Sequence, residues 1–324
     1  MIPKVNLDRF DTEVYWLALN ERHNVIQADR VAFAEKELGS MSAVWTASPD
    51  SLRRLGFHDF AVSEFFRLKS RVYLDQLASK LETLRRKGVR IIKYTDDIYP
   101  ELLRTLSSQR EGAPLILFHR GALLDFDRCV AVVGTRVLSC YGHFMARRIA
   151  RSIAAAGYTV VSGLARGTDI EAHCGALEAK HGKTIAVLPW LEPLYPPEHA
   201  ELLKDVEKKG AVVSEHYEKI SGKPALGSFV ERNRITSGIS RCVIAVESDE
   251  EGGTVHQVRF AINQGRKVFA VKPKSDNARA MRGFRNFVKM GATAIVSAKP
   301  VLDYLRAGEK DRSLNVYIDS QSKL

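Results

Sequence analysis

The chain has 324 residues, 49 Lys and Arg against 38 Asp and Glu, a net charge of +11 and 45% apolar content. That length and apolar content suit two globular domains, or one large domain with an appendage. No run of apolar residues is long enough to span a bilayer, and the opening MIPKVNLDRFDTEVYW has neither a basic nor an apolar leader region; a cytoplasmic protein without a membrane segment is expected.

The charge is uneven: residues 1–130 carry a net +2 and residues 131–300 a net +9. An anionic partner, nucleic acid or nucleotide, is therefore expected against the second region. Cys129, Cys140, Cys174 and Cys242 lie far apart with no C-x-x-C pair, which argues against a zinc site or a disulfide framework. Most of them are expected to pack as small hydrophobes, and no metal ligands and no cofactor are expected.

In chain order, DTEVYWLALNERH and AVSEFFRLKSRVYLDQLASKLETLRRKG place apolar residues three and four apart and end at Gly88 behind Arg and Lys, the pattern of a small helical domain. Between them, SPDSLRRLGF predicts a short helix behind a Ser cap, followed by a glycine turn. Helix-hairpin-helix modules that touch DNA backbone use this pattern, and simple packing also produces it. VRIIKYTDDIYPELLRTL and APLILFHRG then change to short apolar strands and turns. Beyond them the β-branched runs CVAVVG, YTVVSG, KTIAVLP, AVVSE, CVIAVES, KVFAVK and ATAIVS alternate with helical stretches. Short, nearly continuous apolar strands separated by helices imply a parallel sheet covered on both faces, a doubly wound α/β fold. The expected domains are a helical one over 1–90, a connecting segment over 91–127, the sheet domain over 128–304 and a polar tail over 305–324.

In such a sheet, ligands bind beyond the carboxyl ends of the strands, where helix N-termini offer unpaired N–H groups. The loop after CVAVV begins Gly134-Thr135-Arg136: glycine permits close approach to an anion, threonine offers a hydroxyl and arginine a two-pronged phosphate contact. Neither G-x-G-x-x-G nor a Walker lysine is present. After YTVV, Ser162, Gly163, Arg166 and Gly167 read as an anion-binding turn, and Thr168-Asp169-Ile170-Glu171 has the spacing of a capping box. His173 and Cys174 fall about 100° apart on the helix that follows, so they do not face each other as a base and a nucleophile, and no catalytic residue is assigned. The long loop after AVVSE supplies Lys223, Phe229, Arg232, Asn233 and Arg234, a ring beside basic groups suited to stacking on a base while holding phosphate. The basic run from Arg266 to Lys289 extends this track.

VAVVGTR, VVSGLARGTDIEAHCGAL, GKTIAVL, LYPPEHAELL, VVSEHY, FVERNRITSGIS and GRKVFAV, in that order and spacing, resemble the DNA-processing protein A (Smf) family over roughly Tyr94 to Val296. The resemblance implies an extended Rossmann-like domain with a mainly parallel sheet, preceded by a sterile-alpha-motif-like helical region. It also implies binding of single-stranded DNA, homodimerisation and assistance to the RecA recombinase in natural transformation. Arg136 matches the arginine of the family's V-G-S/T-R loop. Ser162, Gly163 and Arg166 match its S-G-x-A-R-G turn, and Phe229, Arg232, Asn233 and Arg234 its F-x-x-R-N-R segment; Lys223 matches more loosely.

The chain departs from the family pattern at GGTVHQV, with His256 and Gln257, and at Val271-Lys272-Pro273. No C-terminal winged helix is expected after the last strand. The leading expectation is a non-enzymatic binder of single-stranded DNA. Two alternatives are a nucleotide sensor or defence component using the same pocket, and a nucleotide phosphoribohydrolase-like enzyme. The latter is disfavoured because the amide of Gln257 stands where a catalytic glutamate is required.

Overall fold

The computed structural model describes residues 10–106, 112–122, 125–220, 225–274 and 276–309. The chain opens with six helices: α1 (Thr12–Asn20), α2 (Ala28–Leu38), α3 (Met41–Thr46), α4 (Pro49–Arg54), α5 (Asp59–Arg67) and α6 (Arg71–Arg86). Polar caps start several of them. Asp11 accepts the Glu13 amide, Ser48 the Ser51 amide and Ser70 the Tyr73 amide, satisfying donors that a helix start leaves open. The SPDSLRRLGF stretch forms α4 behind Ser48 and turns at Gly56, with φ +90°. The long AVSEFFRLKSRVYLDQLASKLETLRRKG stretch is two helices, broken at Leu68-Lys69-Ser70 because Ser70 caps the second. Trp16, Trp45 and Phe65 are fully buried at the centre of this region.

Among the described residues nine strands form one sheet: β1 (Arg90–Lys93), β2 (Ile116–Gly121), β3 (Cys129–Val133), β4 (Thr159–Ser162), β5 (Lys183–Val187), β6 (Ala211–Ser214), β7 (Cys242–Ala245), β8 (Lys267–Val271) and β9 (Thr293–Ile295). Their order is β1-β2-β6-β5-β4-β3-β7-β8-β9. The seven strands from β3 onward are parallel, while β2 pairs antiparallel with both β1 and β6. The connecting segment expected over 91–127 therefore contributes two strands to the sheet itself. All seven runs from CVAVV to ATAIV are strands. β3, β4, β6 and β7 are buried along their whole length, as expected of strands covered on both faces. The chain leaves β3 toward β4 on one side and returns to its other side at β7, so the strand order reverses between them.

The crossovers are α8 (Cys140–Ala155), α9 (Thr168–Glu178), α10 (Ala200–Lys209), α11 (Ala225–Gly238), α12 (Gly253–Asn263) and α13 (Ala278–Lys289), with α7 (Glu101–Arg104) between β1 and β2. A last helix, 299–309, carries buried Leu305 beyond the expected end of the domain at 304. The tail over 310–324 lies outside the described residues. Cys129 and Cys242 are buried as expected, Cys174 is partly exposed and Cys140 exposed. Burial pushes the Cys242 thiol up to about 12.

One apolar cluster runs without a break from Val14, Trp16 and Trp45 through Leu115 and Leu117 to Ile185, Val212 and Ile239. The helical region and the β1–β6 half of the sheet thus share a core. Polar contacts reinforce the seam: Asn20 Nδ2 donates to the Glu215 carbonyl at 3.0 Å. Arg234 of α11 brings its Nη2 to 2.7 and 2.8 Å from the two Glu215 carboxylate oxygens. Both side chains of that pair are almost wholly buried.

Breaking a buried pair from one side strands the other charge. Arg234→Leu is expected to lower unfolding stability by roughly 3–5 kcal/mol in urea titration. Combining it with Glu215→Leu should recover most of the loss, and a double variant no better than the single would show that the pair itself is not what holds the seam.

Candidate nucleic-acid interface

The reversal of strand order leaves a crevice beyond the carboxyl ends of β3 and β7, where open α/β sheets bind ligands. A cavity of about 370 Å³ occupies it, lined by Gly134, Thr135, Arg136, Phe229, Arg232, Asn233, Ser248, Gly252, Gly253, Thr254 and Arg279 among others. Two helices point into it. α11 brings Phe229, Arg232 and Asn233, which at i, i+3 and i+4 share one face. α12 brings its N-terminus, where Gly252 caps with no side-chain hydrogen bond. A helix start without a capping side chain offers amides and a positive dipole end to an anion.

Arg232 is the centre of this arrangement. It is 8% exposed, and its Nε has no hydrogen-bond partner. Burial pulls its guanidinium below the usual range, the charge of Asp169 works against that, and Arg136 adds to it. A Cβ on Gly163 would stand 1.6 Å from Arg232 Nη1, so the strand end carries glycine because a guanidinium fills the side-chain position. Gly134 is constrained in the same way, with a Cβ falling 2.3 Å from Thr168 Oγ1.

The turn from Ser162 to Gly167 holds itself together with the groups expected to hold phosphate. Ser162 is fully buried and donates its hydroxyl to the Val132 carbonyl at 2.7 Å. The amides of Gly163 and Ala165 both donate to Asp169 Oδ2 at 3.2 Å. Burial pushes the Asp169 carboxyl up, opposed by Arg232 and these hydrogen bonds. Leu164 takes a left-handed φ of 58°, which costs a non-glycine residue about 1–2 kcal/mol. His199 Nδ1–H holds its carbonyl at 2.8 Å. Asp169 thus occupies the donors that a phosphate cradle needs.

Neighbouring expectations shift as well. The cap of α9 is Gly167, with φ +77°, and no side chain caps the helix. Thr168 instead donates its hydroxyl to the Thr135 carbonyl at 3.1 Å, and Glu171 meets His143 and Arg147 of α8. The capping box is absent because the β3 loop lies close enough to take the threonine. His173 is fully buried, with Nδ1 2.7 Å from Thr184 Oγ1, and burial holds its imidazole neutral, down to about 3. It packs, as its spacing from Cys174 implied.

Arg136 is exposed and stands 5.3 Å from the Phe229 ring centroid. Phe229 lies between Trp190 and Tyr195, with centroids 5.6 and 5.5 Å away. Trp190 and Tyr195 follow β5, and neither was singled out in the sequence. The available signal was two rings in the proline-rich PWLEPLYPPEH. Arg166 reaches Glu198 at 2.7 Å and 2.5 Å through two nitrogens; both side chains are largely exposed, so the pair is weak enough for an anion to displace the carboxylate.

Two expected residues lie elsewhere. Arg234 sits at i+5 from Phe229, off the cavity face, and spends its charge on Glu215. Arg266 precedes β8, at the amino end of the strands and so across the sheet from the cavity. Its Nη2 donates to the carbonyls of Leu102 and Gly238 at 2.6 and 3.2 Å, satisfying helix ends rather than phosphate. Within the basic run, Arg279 does reach the cavity, paired with Asp249 at 2.9 Å. Lys223 lies outside the described residues.

Comparison with known proteins agrees with this geometry. A family profile described as DNA recombination-mediator protein A matches residues 90–306. Protein Smf of Synechocystis sp. (strain ATCC 27184 / PCC 6803 / Kazusa) is 30% identical over 304 residues, 91% of this chain and 73% of the relative. DNA processing protein A of Streptococcus pneumoniae superposes with a TM-score of 0.69 at 25% identity, covering 89% of this chain and 97% of that one. DNA processing protein A of Helicobacter pylori, whose structure was described for its single-stranded DNA binding mode, superposes with a TM-score of 0.58 at 25% identity over 68% of this chain and 96% of that one. With the profile spanning most of the chain and the crevice built from the same segments, this chain belongs to the DNA recombination-mediator protein A family.

Proposed function

We infer that the chain binds single-stranded DNA in transformation or recombination, with backbone phosphate at Arg232 and the α12 N-terminus and a base against the Phe229 cluster. The observation that carries this reading is the buried Arg232 guanidinium, opposed only at a distance by Asp169 and open to a cavity beside stacking rings. A phosphate supplies the missing counter-charge in a charge-assisted contact. Arg136, Arg166 and Arg279 lie at the rim, where the first two follow a strand from the cavity toward Tyr195. Trp190, Phe229 and Tyr195 offer faces that any base can stack on. Gly134 and Thr135 line the floor; Ser162, Gly167, Arg234 and Arg266 act through the fold.

The chain is read as a binder rather than a catalyst. Where the nucleotide hydrolase reading needs a carboxylate stands Gln257, 3% exposed, with its Nε2 donated to the Asn233 carbonyl at 3.0 Å. That contact makes Gln257 a tie between α12 and α11. Family membership favours a homodimer that assists the RecA recombinase, and a cytoplasmic setting; no helix among the described residues is long and apolar enough to cross a membrane.

Affinity for a single-stranded oligonucleotide should fall steeply with salt, because each neutralised phosphate releases counterions. A flat dependence, or no binding at any salt, removes this reading. Arg136→Ala should reduce the log–log salt slope by about 0.7, the loss of one single-strand phosphate contact. Phe229→Ala should cost about 1–3 kcal/mol of binding with the salt slope kept.

Gly163→Ala tests the placement of Arg232 without altering any charge. The methyl displaces the guanidinium, so oligonucleotide binding should weaken about as much as in Arg232→Gln. Wild-type affinity in a folded Gly163→Ala protein would separate the binding site from Arg232.

A further inference from the structure

We propose that His23, Glu215 and His216 hold a zinc-class transition-metal ion at the seam between the helical region and the sheet. One donor atom from each residue lies within 4.8 Å of the others. The His23 and His216 rings meet edge to face, with centroids 4.9 Å apart. His216 Nε2 is 3.9 Å from Glu215 Oε2, and the side chains of Glu215 and His216 are 5% and 13% exposed. Two imidazoles and a carboxylate make a donor set that suits zinc and its neighbours rather than calcium or magnesium, which take oxygen ligands.

The orientation of His23 carries the argument further. Its Nδ1 lies 2.9 Å from the Asn20 carbonyl, and since a carbonyl only accepts, Nδ1 bears a proton; in the neutral ring Nε2 then holds the lone pair. That Nε2 is buried and has no hydrogen-bond partner. Metal-bound histidines are held this way, with the second ring nitrogen donating to a backbone carbonyl that fixes the tautomer. A buried acceptor without a partner is costly unless something fills the place, and Glu215 and His216 each bring a ligand atom within 4.8 Å of one on His23.

The surroundings admit an ion. Arg234 uses one nitrogen on the Glu215 oxygens, and a carboxylate has about four lone-pair positions, so lone pairs are left for a metal. Glu231 and Arg234 both line the adjoining cavity of about 410 Å³. Because His23 and Glu215 open onto that cavity, water can complete the coordination. The three donor atoms, within 4.8 Å of one another, draw together to reach Zn–N distances of about 2.0–2.1 Å.

Such an ion would pin the turn after α1 to the end of β6. Through Glu215 and Arg234 it would also bear on α11, the helix that carries Phe229 and Arg232. It would therefore stabilise the seam and the α11 face together, without contacting DNA.

The test uses the full chain, stripped of metal by chelation and titrated with Zn(II) by calorimetry, without DNA. One ion per chain is expected, with a rise in the thermal unfolding midpoint. His23→Gln removes the imidazole ligand; it should bind zinc at least about ten-fold more weakly, and His216→Gln likewise. His181→Gln, on the surface, should bind as the wild type does. Absence of stoichiometric zinc binding to the wild type overturns the proposal. So does wild-type affinity in either folded His23→Gln or His216→Gln protein.

Discussion

A guanidinium buried beside a glycine sets the terms for the rest of the crevice. Arg232 is buried except where it lines the crevice, has no direct carboxylate contact among the described residues and occupies the space where any other residue at 163 would carry its side chain. Keeping it there requires a turn that bends around it. Asp169 supplies that turn by collecting the Gly163 and Ala165 amides, and Leu164 absorbs the strain in a left-handed conformation fastened by His199. The carboxylate that steadies the turn is also the nearest opposing charge. Asp169 is thus placed to orient Arg232 while leaving its charge only partly met, as a site for anions requires.

The same helix serves two sides of the molecule. Phe229, Arg232 and Asn233 lie on one face of α11, toward the crevice. Arg234 lies about 140° from Phe229 around the axis and reaches Glu215 in the seam with the helical region. Because β1 and β2 extend the sheet antiparallel beyond β6 and share their core with α1 to α6, that seam is continuous with the folded interior. The position of the crevice face and the attachment of the helical region both depend on one helix.

Much of this was legible in the sequence because the signals were local. Strand runs such as CVAVV and CVIAV are apolar at every position, which only a strand covered on both faces tolerates, and all of them are strands. Ser48 marks a helix start that forms as expected, whereas the start at Ser70 lies inside a stretch whose spacing reads as continuous helix. The placement of Phe229, Arg232 and Asn233 together also follows from spacing, and the same spacing, applied one residue further, would have removed Arg234 from the site. Trp190 and Tyr195 carried a weaker signal, since rings among prolines after a strand read equally well as packing. Ser162, Thr168 and Arg266 were misjudged for a common reason. Ser162 and Arg266, expected to meet an anion, and Thr168, expected to cap a helix, each donate to a backbone carbonyl instead.

The sequence by itself determined the alternation of strands and helices, the excess of positive charge in the sheet region and the family to which the motifs belong. All of these depend on residue type and on separations of a few positions. The tertiary structure decided which polar groups remain available. Hydrogen-bonding capacity is spent on whatever partner folding brings within 3 Å or so, and that partner is usually remote in the chain. Ser162 gives its hydroxyl to Val132, Arg232 is left with an unpartnered nitrogen, and His23 meets His216 across most of the chain. No separation along the sequence encodes such meetings.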